Sequence, residues 1–198
     1  MPTLRNHQNM FDKFIMTTVL LLVSAAAVAA PRLLIAEQSQ IAFVVKEMGV
    51  PVSGKFNHFQ ATIDIDLAQL QKSSALIKID VGTLDTENAE ADAIATGPDW
   101  LDRGRTQYAV FKSTAIRSLD NNRFEATGKL SIRNIERPIV IQFSSTDQAD
   151  GKTVIVSDFE IRRSEYGIGG GVWNEGGVVA EAIPVNVRFT LAPVVVKK

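Results

Sequence analysis

The chain has 198 residues, which is enough for one domain of ordinary size with a segment to spare. Its 21 basic and 22 acidic side chains give a formal net charge of −1. This balance argues against the basic stripe by which most nucleic-acid-binding proteins hold their ligand. The absence of cysteine excludes disulfides and a cysteine-linked lipid anchor. With only two histidines, it also excludes the usual zinc and copper sites.

The spare segment lies at the N-terminus. Arg5 and Lys13 precede an apolar run from Phe14 to Val23, and Ala27-Val28-Ala29 fits the small-x-small pattern cleaved by signal peptidase. The sequence therefore predicts a signal peptide over residues 1–29, a mature domain over residues 30–198 and a periplasmic location. A membrane anchor is the alternative, since the stretch 14–30 reaches the short limit for crossing about 30 Å of hydrocarbon.

After residue 37, apolar side chains recur at every second position, which is typical of strands with one dry and one wet face. The pattern is clearest from Arg123 to Asn134. It predicts eight strands, at residues 41–45, 59–65, 75–81, 110–116, 123–134, 139–143, 154–161 and 183–191. Eight antiparallel strands with one apolar face form a sandwich or a closed barrel, and closure removes the exposed edges.

The segment from Thr86 to Leu101 breaks this alternation. Its helix formers, its early acidic residues and the pair Gly97-Pro98 predict a short helix at about 87–95 and a turn at 98–101. Because an interior helix would bury its charges, we expect it across one end of the barrel.

Side chains suited to catalysis are few. His7 belongs to the predicted signal peptide, and His58 has no evident partner to make it a general base or a metal ligand. Asp64 and Asp66 lie on the wet face of a strand. The glycine-rich run 167–171 lacks the helix and the lysine of a phosphate-binding loop. The sequence thus predicts no catalytic residue and no metal site, and an enzyme is the least favoured class.

Aromatic residues concentrate on the dry faces of the predicted strands, where eight phenylalanines stand in or beside strands. They would fill a packed barrel or line a hollow one equally well. Small residues on the same faces, such as Gly128, leave room and favour a cavity. Trp100 and Trp173 stand in the irregular segments, where they either plug the barrel end or gate it.

Four segments of the chain resemble the YceI-like polyisoprenoid-binding proteins. They are SQIAFVVKEMGVPVSGKFNHF at 39–59, YAVFKSTAI at 108–116, FEATGKLSIRNIERPIVIQF at 124–143 and FEIRRSEYGIGGGVW at 159–173. The resemblance runs to Leu191 and covers nearly the whole mature domain. It implies an all-β fold, an eight-stranded antiparallel lipocalin-like barrel with a short helix near one end. It also implies a bound polyisoprenoid or other amphiphilic lipid, with no further cofactor.

The segments PDWLD and GGGVW look like a subgroup that acts beside a membrane cytochrome b561, which indicates an isoprenoid quinone as ligand. Transient contact with the membrane or such a cytochrome is therefore expected, and a homodimer is a further expectation because some members dimerise. The chain departs from the family pattern at Glu47, at 91–94 and at Arg133-Asn134, positions where a different lipid head group would be read.

The leading hypothesis is a periplasmic binding or carrier protein for a polyisoprenoid lipid or isoprenoid quinone. Its lining is predicted at Phe43, Phe59, Phe111, Ile132, Ile141, Phe143, Phe159 and Trp173. Arg163 and Tyr166 are predicted at the polar end of the ligand. The alternative is an interaction module, a filled barrel that docks on a membrane redox partner.

Overall fold

The computed structural model describes residues 32–66, 69–174 and 177–193, so the predicted signal peptide and the alternative membrane anchor lie outside the described residues. Within them the chain forms ten strands and one α-helix. They are β1 (Gln40–Glu47), β2 (Val50–Phe56), β3 (Phe59–Asp64), β4 (Ser74–Asp80), β5 (Leu84–Asp85), α1 (Ala89–Ala95), β6 (Tyr108–Ser118), β7 (Arg123–Ile132), β8 (Ile135–Asp147), β9 (Thr153–Arg162) and β10 (Ala182–Leu191).

The strands form one antiparallel sheet in the order β3-β4-β6-β7-β8-β9-β10-β1-β2-β5. The chain passes from β2 to β3 through a corner at Asn57 and His58, although β2 pairs with β1 and β3 pairs with β4. Because β3 stands first and β2 ninth in the strand order, this continuity brings the two ends of the sheet together. The sheet therefore curls into a barrel, and the predicted fold class is confirmed.

A short N-terminal segment, residues 32–35, links β3, the first strand of the sheet, to β10. The backbone N–H of Arg32 donates to the carbonyl of Ile63 in β3 at 3.2 Å. That of Ile35 donates to the carbonyl of Thr190 in β10 at 2.8 Å. We call this junction of β3, residues 32–35 and β10 the seam.

The sheet has ten strands where the sequence predicts eight, and the additional ones are β2 and β5. The sequence of β2 holds Pro51 and Gly54, which normally interrupt strands. Pro51 lies where β2 has a neighbour on one side only, so its missing N–H can face away from the ladder. The two residues of β5 are too few to show an alternation.

The predicted helix is present but begins at Ala89 rather than at residue 87. Glu87 takes a left-handed backbone conformation (φ 63°) that a helix does not tolerate. Asn88 then caps the helix, since its side chain accepts hydrogen bonds from the N–H groups of Glu90 (3.0 Å) and Ala91 (3.2 Å). No helix within the described ranges combines the length and apolarity needed to cross a membrane.

Candidate functional site

Two internal cavities of about 140 and 110 Å³ lie inside the barrel. The first, the cap cavity, reaches the helix and the turn after it, with Ala95, Trp100 and Leu101 in its wall. The second, the base cavity, reaches Ile65 and Phe143 among the strands. The two cavities share part of their lining, formed by Ile41, Ile79, Leu130, Phe159 and Val185. They are therefore neighbouring parts of one interior.

The lining of both cavities is almost purely hydrocarbon. All the lining side chains of the cap cavity are apolar, and the indole of Trp100 supplies their single nitrogen. In the base cavity the one polar lining residue is Ser157, whose hydroxyl donates to the backbone carbonyl of Gln142 at 2.7 Å. Such an interior suits an apolar chain, since burying a charge without a partner is strongly unfavourable.

The absence of a side chain at two glycines lets two aromatic rings approach the inner wall closely. A Cβ at Gly54 would stand 2.3 Å from the ring of Phe43, and one at Gly128 would stand 2.7 Å from the ring of Phe111. The expectation that Gly128 leaves room for a ligand is therefore wrong, because the ring of Phe111 occupies that space. The two rings themselves line the cap and base cavities, respectively.

The cap of the barrel, formed by the turn 96–101, the hairpin turn Arg133-Asn134 and the loop 163–174, is held by polar bonds. Nη1 of Arg133 donates to the carbonyls of Asp99 (3.1 Å), Trp100 (2.7 Å) and Gly167. The carbonyl of Asp99 also accepts from the N–H of Gly169 at 2.8 Å. Arg133 thus ties all three parts of the cap together.

Arg163 is the second organiser of the cap, and it is 5% exposed. Its guanidinium donates to five backbone carbonyls of the surrounding loop, at distances of 3.0–3.3 Å, those of Ile168, Gly169, Trp173, Val179 and Ala180. A carboxylate oxygen of Glu181 lies 4.0 Å from Nε. Since a guanidinium has five N–H donors, all of them are used by the protein in this conformation.

The two tryptophans pack against each other in the cap. Their ring centroids lie 5.7 Å apart with an interplanar angle of 66°, an edge-to-face contact. Nε1 of Trp100 is buried and has no hydrogen-bond partner among the described residues. Tyr166, which belongs to the same loop as Trp173, is buried at 2% exposure. Burial raises the pKa of its hydroxyl, Glu165 adds to the rise and Arg137 opposes it.

The structure brings six of the ten predicted site residues to the cavity walls. They are Phe43, Phe111, Ile132, Ile141, Phe143 and Phe159. Phe59 instead lines an outer groove and contacts the ring of Phe189 at 5.7 Å. Arg163, Tyr166 and Trp173 belong to the cap rather than to either lining. Their contact with a ligand stays a prediction.

Among the lining residues missing from the sequence-based set are two aromatic residues of the cap cavity. Phe56 lines the cap cavity and contacts Phe43 at 5.5 Å between ring centroids, but it belongs to the strand that the sequence pattern hides. Trp100 lines the same cavity, and its position in an irregular segment gives no periodicity to read. The signal that could have found Phe56 is an aromatic residue beside a strand end, and for Trp100 it is an aromatic residue in an irregular segment.

An open groove of about 750 Å³ lies outside the barrel at the corner between β2 and β3. Phe56 lines both this groove and the cap cavity, so the two spaces are neighbours there. Its rim carries polar and charged side chains, including Lys78, Tyr108 and Arg188. His58 is exposed at this corner. Within the described ranges, no three His, Asp or Glu side chains are grouped to hold a metal ion.

Comparison with known proteins shows which domain family this chain matches. Residues 34–191 match the YceI-like domain. A UPF0312 protein of Vibrio cholerae is 32% identical over 104 residues, a match that covers 52% of this chain and 55% of that protein. The chain thus spans about half the length of the curated relatives it matches first.

Solved structures share the fold. BcnA from Burkholderia cenocepacia superposes with a TM-score of 0.77 at 26% identity, covering 80% of this chain and 99% of BcnA. A polyisoprenoid-binding domain from Saccharophagus degradans superposes with a TM-score of 0.63 at 15% identity, covering 81% and 97%. Because the domain match extends over most of the chain, this protein belongs to the YceI-like family.

Proposed function

We propose that this protein binds an isoprenoid lipid with its chain inside the barrel and carries it in the periplasm. The observation that carries the proposal is the pair of adjoining cavities whose lining holds no charged side chain. Each methylene transferred from water into such a lining contributes about 0.8 kcal/mol. A prenyl chain can therefore bind without any polar contact along its length, and no catalytic step is part of the proposal.

The size of the cavities bears on how a chain enters. Their combined volume is about 250 Å³, which is below the roughly 300–1,000 Å³ typical of ligand pockets. A long chain therefore needs more room than the empty interior offers. The rings of Phe43, Phe111 and Phe159 line the space, and we propose that they turn aside as the chain enters.

The groove at the corner of β2 and β3 is the proposed entrance. Phe56 separates it from the cap cavity, and the cationic side chains of Lys78 and Arg188 stand on its rim. Polar side chains on the rim would meet the head group as the ligand arrives, before the ligand passes inward beside Phe56. Among isoprenoid lipids, a quinone is the ligand we expect.

One structural neighbour supports this proposal. The Saccharophagus structure is described as a polyisoprenoid-binding domain. At its low identity it shares only the fold with this chain, so the hydrocarbon lining of this barrel carries the argument for a similar ligand.

Solvent extraction of protein purified from a bacterial periplasm, followed by mass spectrometry, tests the proposal. We expect an isoprenoid lipid at close to one molecule per protein. Ala126 lines the base cavity and is 5% exposed, so Ala126→Leu should lower the amount of lipid or shorten its chain. Ala115→Leu, on the exposed surface of β6, should leave the lipid unchanged. Lipid-free extracts together with no binding of ubiquinone analogues would contradict the proposal.

The second candidate function is docking on a membrane redox partner of the cytochrome b561 type. It is favoured by the tip of the β1–β2 hairpin, where Met48 and Val50 are 78% and 63% exposed. Large exposed apolar side chains on one turn suit contact with a membrane or a membrane protein. Lipid-free protein that still binds such a cytochrome, with binding lost in Met48→Glu, would favour this function over the carrier.

A further inference from the structure

We infer that the cap cavity receives the uncharged, carbonyl-bearing end of the ligand, and that the indole N–H of Trp100 donates the hydrogen bond that holds it. The inference rests on the proposed function, because it concerns the end of a lipid whose chain occupies the barrel. It adds a direction of entry, with an oxygen-bearing end innermost under the cap.

The first observation is the state of the Trp100 nitrogen. Nε1 is buried and has no acceptor among the described residues. Buried donors in folded proteins are nearly always paired, and an unpaired one calls for a specific explanation. Packing alone does not need this donor, because the ring of a phenylalanine would offer a similar hydrophobic surface. A hydrogen-bond acceptor on a bound ligand would account for this N–H.

The second observation is the chemistry around that nitrogen. The other side chains that line the cap cavity are hydrocarbon, so none of them can accept the Trp100 proton. An acceptor must therefore come from a molecule inside the cavity. A phosphate or carboxylate end is disfavoured, since a charge would be buried there with no cation in the lining.

The same lining distinguishes between neutral ends. A hydroxyl that accepts from Trp100 keeps its own O–H donor, and no lining side chain of the cap cavity offers it an acceptor. A carbonyl oxygen accepts and leaves no donor unpaired. The site therefore favours a ketone-like or quinone-like end over an alcohol or a hydroquinone.

The donor is held in position before any ligand arrives. The backbone carbonyl of Trp100 accepts from Arg133 at 2.7 Å, and the backbone N–H of Trp100 donates to the carbonyl of Gly97 at 3.1 Å. The indole packs against Trp173, and a Cβ added at Gly169 would lie only 3.7 Å from the indole. A donor fixed in this way loses little conformational freedom on binding.

Titration calorimetry with two probes of equal chain length, farnesylbenzoquinone and farnesylbenzene, tests the inference. We expect wild-type protein to bind the quinone about tenfold more tightly, the effect of one buried hydrogen bond. Trp100→Phe should abolish this preference while it keeps its affinity for farnesylbenzene within about twofold. Ala115→Leu, on the exposed surface of β6 and outside both cavity linings, should keep the preference.

A second measurement needs no variant at position 100 to fold. The chain has two tryptophans, so ¹⁵N-labelled protein shows two indole signals, and Trp173→Phe assigns them. The Trp100 signal should move downfield with farnesylbenzoquinone and not with farnesylbenzene. Equal affinity of the probes for wild-type protein, or an unmoved Trp100 signal in the bound quinone complex, overturns this inference alone. Failure of both probes to bind, with lipid-free extracts, overturns the proposed function as well.

Discussion

The cap and the base of this barrel are built by different means. The cap consists of irregular segments joined by Arg133 and Arg163, whose N–H groups bind backbone carbonyls. The base consists of regular strands whose contacts are apolar, such as the stacked rings of Phe124 and Phe143 with centroids 5.4 Å apart. Polar bonds are directional and apolar contacts are not, so we expect the cap to select a ligand and the base to supply affinity.

The largest expected effect is the loss of the polar frame of the cap. Arg163→Met removes the donors from five carbonyls, three of which form fully buried bonds, those of Ile168, Gly169 and Val179. Buried acceptors left unpaired cost about 1–3 kcal/mol each. We expect the free energy of unfolding, measured by urea denaturation, to fall by about 3 kcal/mol or more.

The neighbouring Arg162 is exposed and has only long contacts to Glu165 (3.9 Å) and Glu181 (3.8 Å). Arg162→Met is therefore the matched control, with an expected loss below about 1 kcal/mol. Equal stability of the two variants would show that the carbonyl cage of Arg163 does not hold the cap.

The next effect tests the apolar packing of the base. A Cβ at Gly128 would lie 2.5 Å from the carbonyl oxygen of Lys112 and 2.7 Å from the ring of Phe111. Gly128→Ala should therefore lower the free energy of unfolding by about 1–3 kcal/mol, the usual cost of overpacking. Gly104→Ala, where no atom lies within 4 Å of the new Cβ, should change it by less than about 0.5 kcal/mol. Similar urea midpoints for the two variants would contradict this account of the inner wall.

The smallest effect concerns the pH dependence of the cap. Because burial raises the pKa of Tyr166, the folded protein keeps this proton at a pH where the unfolded chain begins to release it, about 10. Its contribution to stability is thus complete below about pH 10 and declines as the pH rises further. Between pH 9 and 11, Tyr166→Phe should lose less unfolding free energy than wild type, by less than about 1 kcal/mol. Tyr108→Phe, at an exposed site, is the control and should follow wild type.

The same contrast explains what the sequence could reveal. Alternating residues such as Phe124 to Ile132 predict the strands of the base, because each strand carries its own record of a dry and a wet face. The strand β2 is not predicted, because the need for a glycine at position 54 comes from the ring of Phe43, its partner on the neighbouring strand. The sequence indicates Arg163 as a site residue but not its role in holding the cap. Its partners are backbone carbonyls, which leave no mark on residue identity.

The seam gives the barrel an uneven stiffness. β7 and β8 are joined along ten consecutive residue pairs, whereas the strand-like pairing at the seam consists of isolated bridges from Arg32 to Ile63 and from Leu34 to Leu191. Under an internal load the wall would give first where the fewest bonds resist. We therefore expect the seam to widen when a larger ligand binds, while the long strand pairs keep their shape.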